Sequence, residues 1–131
     1  MKLITTMKET KNKNLINNSL INLIQTIETL DWNVTIYEDD NCIYLQRFSP
    51  AGQDFEFSID IDNNIDTFVN NIYNYYDNFD VSYETYLWLD DSGHGKNGAP
   101  YDMKDIYNDM EECKNLIFDL YEFLKNKYLD I

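Results

Sequence analysis

The chain has 131 residues, of which 44% are hydrophobic and 15% aromatic, and it carries a formal net charge of -14. That length suits one domain, the aromatic content excludes a disordered acidic chain, and the charge disfavours direct contact with nucleic acid or an anionic membrane surface. The acidity is concentrated beyond residue 14: six bases there face 23 acids, a net of -17, because Lys2, Lys8, Lys11 and Lys13 all come earlier.

Residues 1–14 mix charge with Asn and keep no apolar period, so they read as a flexible tail ahead of one acidic domain over 15–131. From Asn18 and Ser19, which suit a helix cap, Leu20, Leu23, Ile24, Ile27 and Leu30 recur at helical spacing and predict a helix over about 16–30. Three strand-like runs follow, Trp32 to Tyr37, Cys42 to Phe48 and Asp54 to Ile61. The turn-rich segments Glu38 to Asn41 and Ser49 to Gln53 separate them, and connections this short imply an antiparallel meander. In the third run Phe55, Phe57, Ile59 and Ile61 alternate with Asp54, Glu56, Ser58 and Asp60, so one sheet face is core and the other wet and negative.

Ile65, Phe68, Val69, Ile72, Tyr73 and Tyr76 form a second helical stripe, ending near Asn78. Val81 to Leu89 predict a short third helix capped by Ser82, with Tyr86, Leu87 and Leu89 packing inward. After the glycine-rich 90–101 segment, Asp102 has the character of an N-cap with Asp105 at the capping-box position. Met103, Ile106, Tyr107, Met110, Cys113, Ile117, Leu120 and Leu124 then run as a long final helix. The order is α-β-β-β-α-α-α, an α+β fold with helices on one face of a three-stranded antiparallel sheet.

No stretch of about 18 apolar residues is present, and the N-terminus lacks the apolar region and cleavage site of a signal peptide, so a cytoplasmic protein is expected. Cys42 and Cys113 sit in apolar patterns and read as buried thiols rather than a disulfide. The wealth of Asn, Ile, Lys and Tyr is the imprint of an AT-rich coding sequence, pointing to a low-GC bacterium or its phage or plasmid.

Several motifs match catalytic or binding patterns in letters only. Gly93-His94-Gly95-Lys96-Asn97-Gly98 fits G-x-G-x-x-G, but a dinucleotide site needs that run between a strand and a helix, and here it joins helices in a negative field. A flexible loop with a solvated His94 is the expectation. Asp60, Asp62 and Asn64 open like a calcium loop, but Ile65 stands at the glycine position and Asn71 at the terminal acid. His94 is the only histidine, with no Cys nearby to complete a metal site or a nucleophile and base pair. No catalytic residue, metal or cofactor is therefore assigned.

The array of acids stands out instead. Asp54, Glu56 and Asp60 project from one strand face at about 6.7 Å per two residues, with Asp39 and Asp40 in an adjacent turn and Asp62 just beyond. Such a file of charge can occupy a groove built to track a nucleic-acid backbone. Asp90, Asp91 and Tyr101 form a second candidate patch around the glycine loop. Tyr37, Tyr44 and Phe48 fall on the wet face, and Tyr83, Tyr86 and Trp88 flank the loop. Trp88 and Tyr86 are expected to cap the core. Tyr and Trp beside carboxylates suit the Arg and Lys of a partner.

The run Phe79-Asp80-Val81-Ser82-Tyr83-Glu84-Thr85-Tyr86-Leu87-Trp88-Leu89, the loop Gly95 to Pro100, then Asp102-Met103-Lys104-Asp105-Ile106 and Asp109-Met110-Glu111 resemble a module of small acidic proteins of phages and mobile elements. Those proteins are grouped with antirestriction and anti-CRISPR factors, and the resemblance covers about residues 53–125. It implies an antidefence protein that binds a host nuclease and blocks its nucleic-acid channel or its activation. Joined to the acidic face read above, the expectation is a non-enzymatic inhibitor that binds a CRISPR effector or restriction enzyme through an acidic, DNA-mimicking surface. The alternative is an immunity or regulatory protein that neutralises a toxin or host enzyme through a shape-specific interface.

Overall fold

The structure, a computed structural model, describes residues 18–129 apart from 38, 63 and 97. The expected tail over 1–14, the start of the first helix before residue 18, Glu38 of the first turn and Asn97 of the glycine loop lie outside the described residues. So do the side chains of Asn18 and Ser19, on which the predicted cap rests.

The elements run α1 (Asn18–Glu28), β1 (Asn33–Tyr37), β2 (Cys42–Phe48), β3 (Asp54–Asp60), α2 (Ile65–Asp77), α3 (Val81–Tyr86) and α4 (Met103–Leu124), closed by a π-helical turn over Lys125–Leu129. The strands form one antiparallel sheet in the order β1-β2-β3. Its register pairs Thr35 with Tyr44 and Tyr44 with Ser58. The turns suit their residues: Asn41 and Gly52 adopt positive φ of 52° and 91°, where Asn and Gly are the residues that strain least.

The core lies between the inner sheet face and the helices. Val34, Ile36, Ile43, Leu45, Phe57 and Ile59 are buried from the strands, against Leu23, Ile24 and Ile27 of α1, Phe68, Val69 and Ile72 of α2, and Ile106, Met110, Cys113, Ile117 and Leu120 of α4. The α+β class and the element order match the expectation. α2 begins where Asn64 Oδ1 accepts the Thr67 N–H at 2.7 Å, with Asp66 in the first turn to complement the helix dipole. At the far end, the Tyr128 hydroxyl donates to Asn22 Oδ1 at 2.5 Å and tethers the π-helical turn to α1.

Two local expectations are corrected. α3 is capped by Asp80, whose Oδ1 accepts the Tyr83 N–H at 3.2 Å, and not by Ser82. Its inward residues are Val81 and Thr85, with Trp88 and Leu89 half-buried just beyond, whereas Tyr86 and Leu87 face solvent. Contact with α4 decides which face of so short a helix is buried. Asp102 occupies the N-cap position of α4, but its side chain makes no capping hydrogen bond.

The 90–101 segment is a hydrogen-bonded hairpin-like loop, and His94 is not simply solvated. Leu89 and Gly95 form an antiparallel bridge. The Lys96 N–H donates to the Trp88 carbonyl at 2.9 Å, the Asp90 N–H to His94 at 2.8 Å and the Gly95 N–H to Tyr101 at 3.0 Å. The His94 and Tyr101 rings stack at 3.9 Å, and Nδ1 of His94 is buried with no hydrogen-bond partner among the described residues.

Candidate functional site

The pleat sends alternate side chains of the three strands away from the helices, and these build the open face. β1 contributes Asn33, Thr35 and Tyr37, β2 Cys42, Tyr44, Gln46 and Phe48, and β3 Asp54, Glu56, Ser58 and Asp60. Three carboxylates thus stand in one column on β3, and no Lys or Arg belongs to this set. Arg47, the only base of the sheet, points to the inner face, where its guanidinium lies 5.3 Å from the Trp32 ring centroid and Nη1 donates to the Leu30 carbonyl.

Side-chain bonds fix part of the face. Asn33 Nδ2 donates to Gln46 Oε1 at 2.9 Å, and Gln46 Nε2 donates to Asp54 Oδ1 at 2.6 Å, a row that spans all three strands. Tyr37 and Tyr44 pack edge to face at 4.7 Å, while Phe48 is 67% exposed. Asn33, Thr35, Tyr37, Tyr44, Gln46 and Glu56 line a shallow depression of about 500 Å³ between the aromatic and acidic columns. Aromatics therefore stand on β1 and β2 and acids on β3.

The predicted acids differ in how free they are. Asp54, Glu56 and Asp60 are exposed on the β3 column, and Asp39 and Asp40 are exposed in the turn between β1 and β2. Asp62 is exposed as well, but it sits at a φ of 55° and its Oδ2 accepts from Asn71 Nδ2 at 2.7 Å, so it also shapes the entry to α2. In the second patch Asp90 is partly committed to its own loop. Its Oδ1 accepts from Ser92 Oγ at 2.6 Å, Ser92 N at 2.8 Å and His94 N at 3.3 Å, and the Ser92 side chain, then its backbone N–H, hold the carboxyl below its ordinary range. Asp91 and Tyr101 are exposed.

The β3 column, α3 and the glycine loop border a groove of about 290 Å³, whose walls include Asp54 and Glu56 of β3, Glu84 of α3, Leu87, Trp88 and Lys96. The glycine loop reaches it through Lys96; Asp90, Asp91 and Tyr101 are not among its walls. Burial first, and Asp80 second, hold the Glu84 carboxyl above its ordinary range. Sequence reading missed Glu84 because it named the aromatics of α3 and passed over the acid between them.

A second omission is Asp109, a buried acid. Its Oδ2 accepts from Ser49 Oγ at 2.5 Å and its Oδ1 from Ala51 N at 2.9 Å, while Ser49 Oγ itself accepts the Gln53 N–H at 2.9 Å. Asp109 thereby ties the turn that feeds β3 to α4. The signal lay in the spacing, since position 109 shares the helical stripe of Ile106 and Cys113.

Neither thiol is prepared for chemistry. Both cysteines are free and buried. Burial, then Asp109, pushes the Cys113 thiol up to about 12, and burial with Asp40 and Asp60 raises Cys42. Nucleophilic attack needs the thiolate. A thiol-specific reagent at neutral pH is therefore expected to label neither cysteine until denaturant is added; rapid labelling of Cys113 in the folded protein would contradict its placement.

Among the described residues no group of three or more His, Cys, Asp or Glu is arranged to hold a metal ion. No helix among them is long and apolar enough to cross a membrane. Comparison with family models, curated proteins and solved structures finds no match for this chain.

Proposed function

We propose that this protein is a non-enzymatic inhibitor whose acidic open face occupies the basic nucleic-acid groove of a defence nuclease, a CRISPR effector or restriction enzyme. The observation that carries the reading is the composition of that face: a column of Asp54, Glu56 and Asp60, hydrogen-bonding and aromatic groups beside it, and no base of its own. Six residues of strand separate the ends of the column by about 20 Å, so a partner would meet it as an extended line of charge. Asp39, Asp40 and Asp62 prolong the field at one end. Lys114, Lys125 and Lys127 instead lie over Tyr76, Tyr121 and Tyr128 on the helical side, where they do not neutralise the face.

Each carboxylate acts as an acceptor for Arg or Lys, and charge-assisted bonds of this kind set orientation and association rate. The test is competition between the protein and DNA for such a nuclease. Reversing Asp54, Glu56 and Asp60 to Lys is expected to weaken the complex by about a hundredfold or more without unfolding the protein. Native affinity is expected to fall steeply between roughly 0.1 M and 0.5 M salt. Affinity indifferent to both changes would remove the face from the reading and leave the shape-specific alternative, an immunity or regulatory protein, for which the exposed aromatic side chains of α3 speak.

A further inference from the structure

α3 turns Val81 and Thr85 inward and leaves Tyr83 57%, Tyr86 69% and Leu87 45% exposed. These three follow the i, i+3, i+4 spacing of a single helix face. Grouped apolar side chains on a surface mark contact sites, and Tyr is among the residues that dominate binding energy when a partner covers them. The face adjoins the acidic column through the groove that Asp54, Glu56, Glu84, Trp88 and Lys96 line with Leu87.

We infer that the exposed face of α3 and this groove form a docking surface for an arginine-bearing segment of the partner protein, continuous with the acids of β3. The inference rests on the reading of the open face as partner-binding and specifies what that partner presents. Charge complementarity selects the occupant: three carboxylates from two elements face the groove against the single ammonium of Lys96. Glu84 is partly desolvated beside Asp80, and ion pairing with an incoming cation would offset both effects. The half-buried indole of Trp88 favours Arg over Lys, because a planar guanidinium stacks on the ring while forking to carboxylates, which an ammonium cannot do. Tyr83 and Tyr86 would then cover the stem and backbone of the segment and exclude water around the ion pairs.

The experiment titrates the whole protein with two short peptides, identical except that every Arg in one is Lys in the other, and follows the two indole N–H signals by nuclear magnetic resonance, assigned with Trp88→Phe. The Arg peptide is expected to shift the Trp88 signal, leave that of buried Trp32 in place, and bind about fivefold tighter than the Lys peptide. Tyr83→Ala with Tyr86→Ala, both at exposed positions, is expected to weaken the Arg peptide by about tenfold at high salt, where the acids are screened. Lys96→Gln is expected to tighten it. Equal affinity for the two peptides, no shift at Trp88, or an unaltered affinity in the tyrosine double variant would each overturn the inference. None of these outcomes touches the competition with DNA, which is judged separately by reversal of the β3 acids and by salt.

Discussion

Replacing Asp109 with alanine is expected to lower stability by about 2–4 kcal/mol, a large share of the roughly 5–15 kcal/mol that holds a domain of this size. The carboxylate serves two donors, Ser49 Oγ and the Ala51 N–H, and Ser49 Oγ in turn receives the Gln53 N–H. Removing it leaves the buried Ser49 hydroxyl without its acceptor and cuts the tie between the 49–53 turn and α4. Asp109→Asn keeps the shape but offers one oxygen and one NH2 group to two donors, so about half the loss is expected. Urea unfolding measures both. Because the turn sets the start of β3, amide exchange in Asp109→Ala should quicken at Phe55 before Ile59. An unchanged urea midpoint would show that the contact contributes nothing.

The second large effect is expected at Gly95. A Cβ there would stand 1.9 Å from the Pro100 carbonyl oxygen and 2.9 Å from its carbonyl carbon. The obstacle is backbone, which cannot rotate aside as a flexible side chain would. Gly95→Ala must therefore push Gly95 and Pro100 apart, breaking the Gly95 N–H bond to the Tyr101 carbonyl and the stacking of Tyr101 on His94. Overpacking of this kind costs about 1–3 kcal/mol. Gly93 provides the contrast: nothing lies within 4 Å of its Cβ position, and its φ of +84° makes alanine there a matter of backbone strain of about 1 kcal/mol. The His94 ring signals in a nuclear magnetic resonance spectrum should move strongly in Gly95→Ala and little in Gly93→Ala. Similar shifts in both would refute the steric account.

The sheet was legible because β3 alternates without a break from Asp54 to Asp60 and because the two turns contain residues that turns require. The stripes of α2 and α4 were legible for the same reason at the helical period. α3 was not, because a six-residue helix makes fewer than two turns and its own pattern cannot tell Thr85 from Tyr86 as the buried residue; packing against α4 makes that choice. In the glycine loop the letters G-x-G-x-x-G suggested conformational freedom, which Gly93 and Gly98 do use at positive φ, but not that Gly95 serves the close approach to Pro100. On the open face the acids were placed correctly by alternation alone, but their company was not. That Asp54 accepts from Gln46, that Asp62 is held by Asn71, and that Glu84 joins Asp54 and Glu56 at one groove depend on register and on the path of the chain after α2.

The column of Asp54, Glu56 and Asp60 also occupies an outer strand of the sheet. An outer strand offers unpaired main-chain groups to any second strand that approaches, including one from another copy of the same protein. Two β3 strands meeting edge to edge in antiparallel fashion would set carboxylate against carboxylate along the seam. Acids on an outer strand would oppose such pairing by like-charge repulsion. Neutralising them should raise the protein's tendency to aggregate.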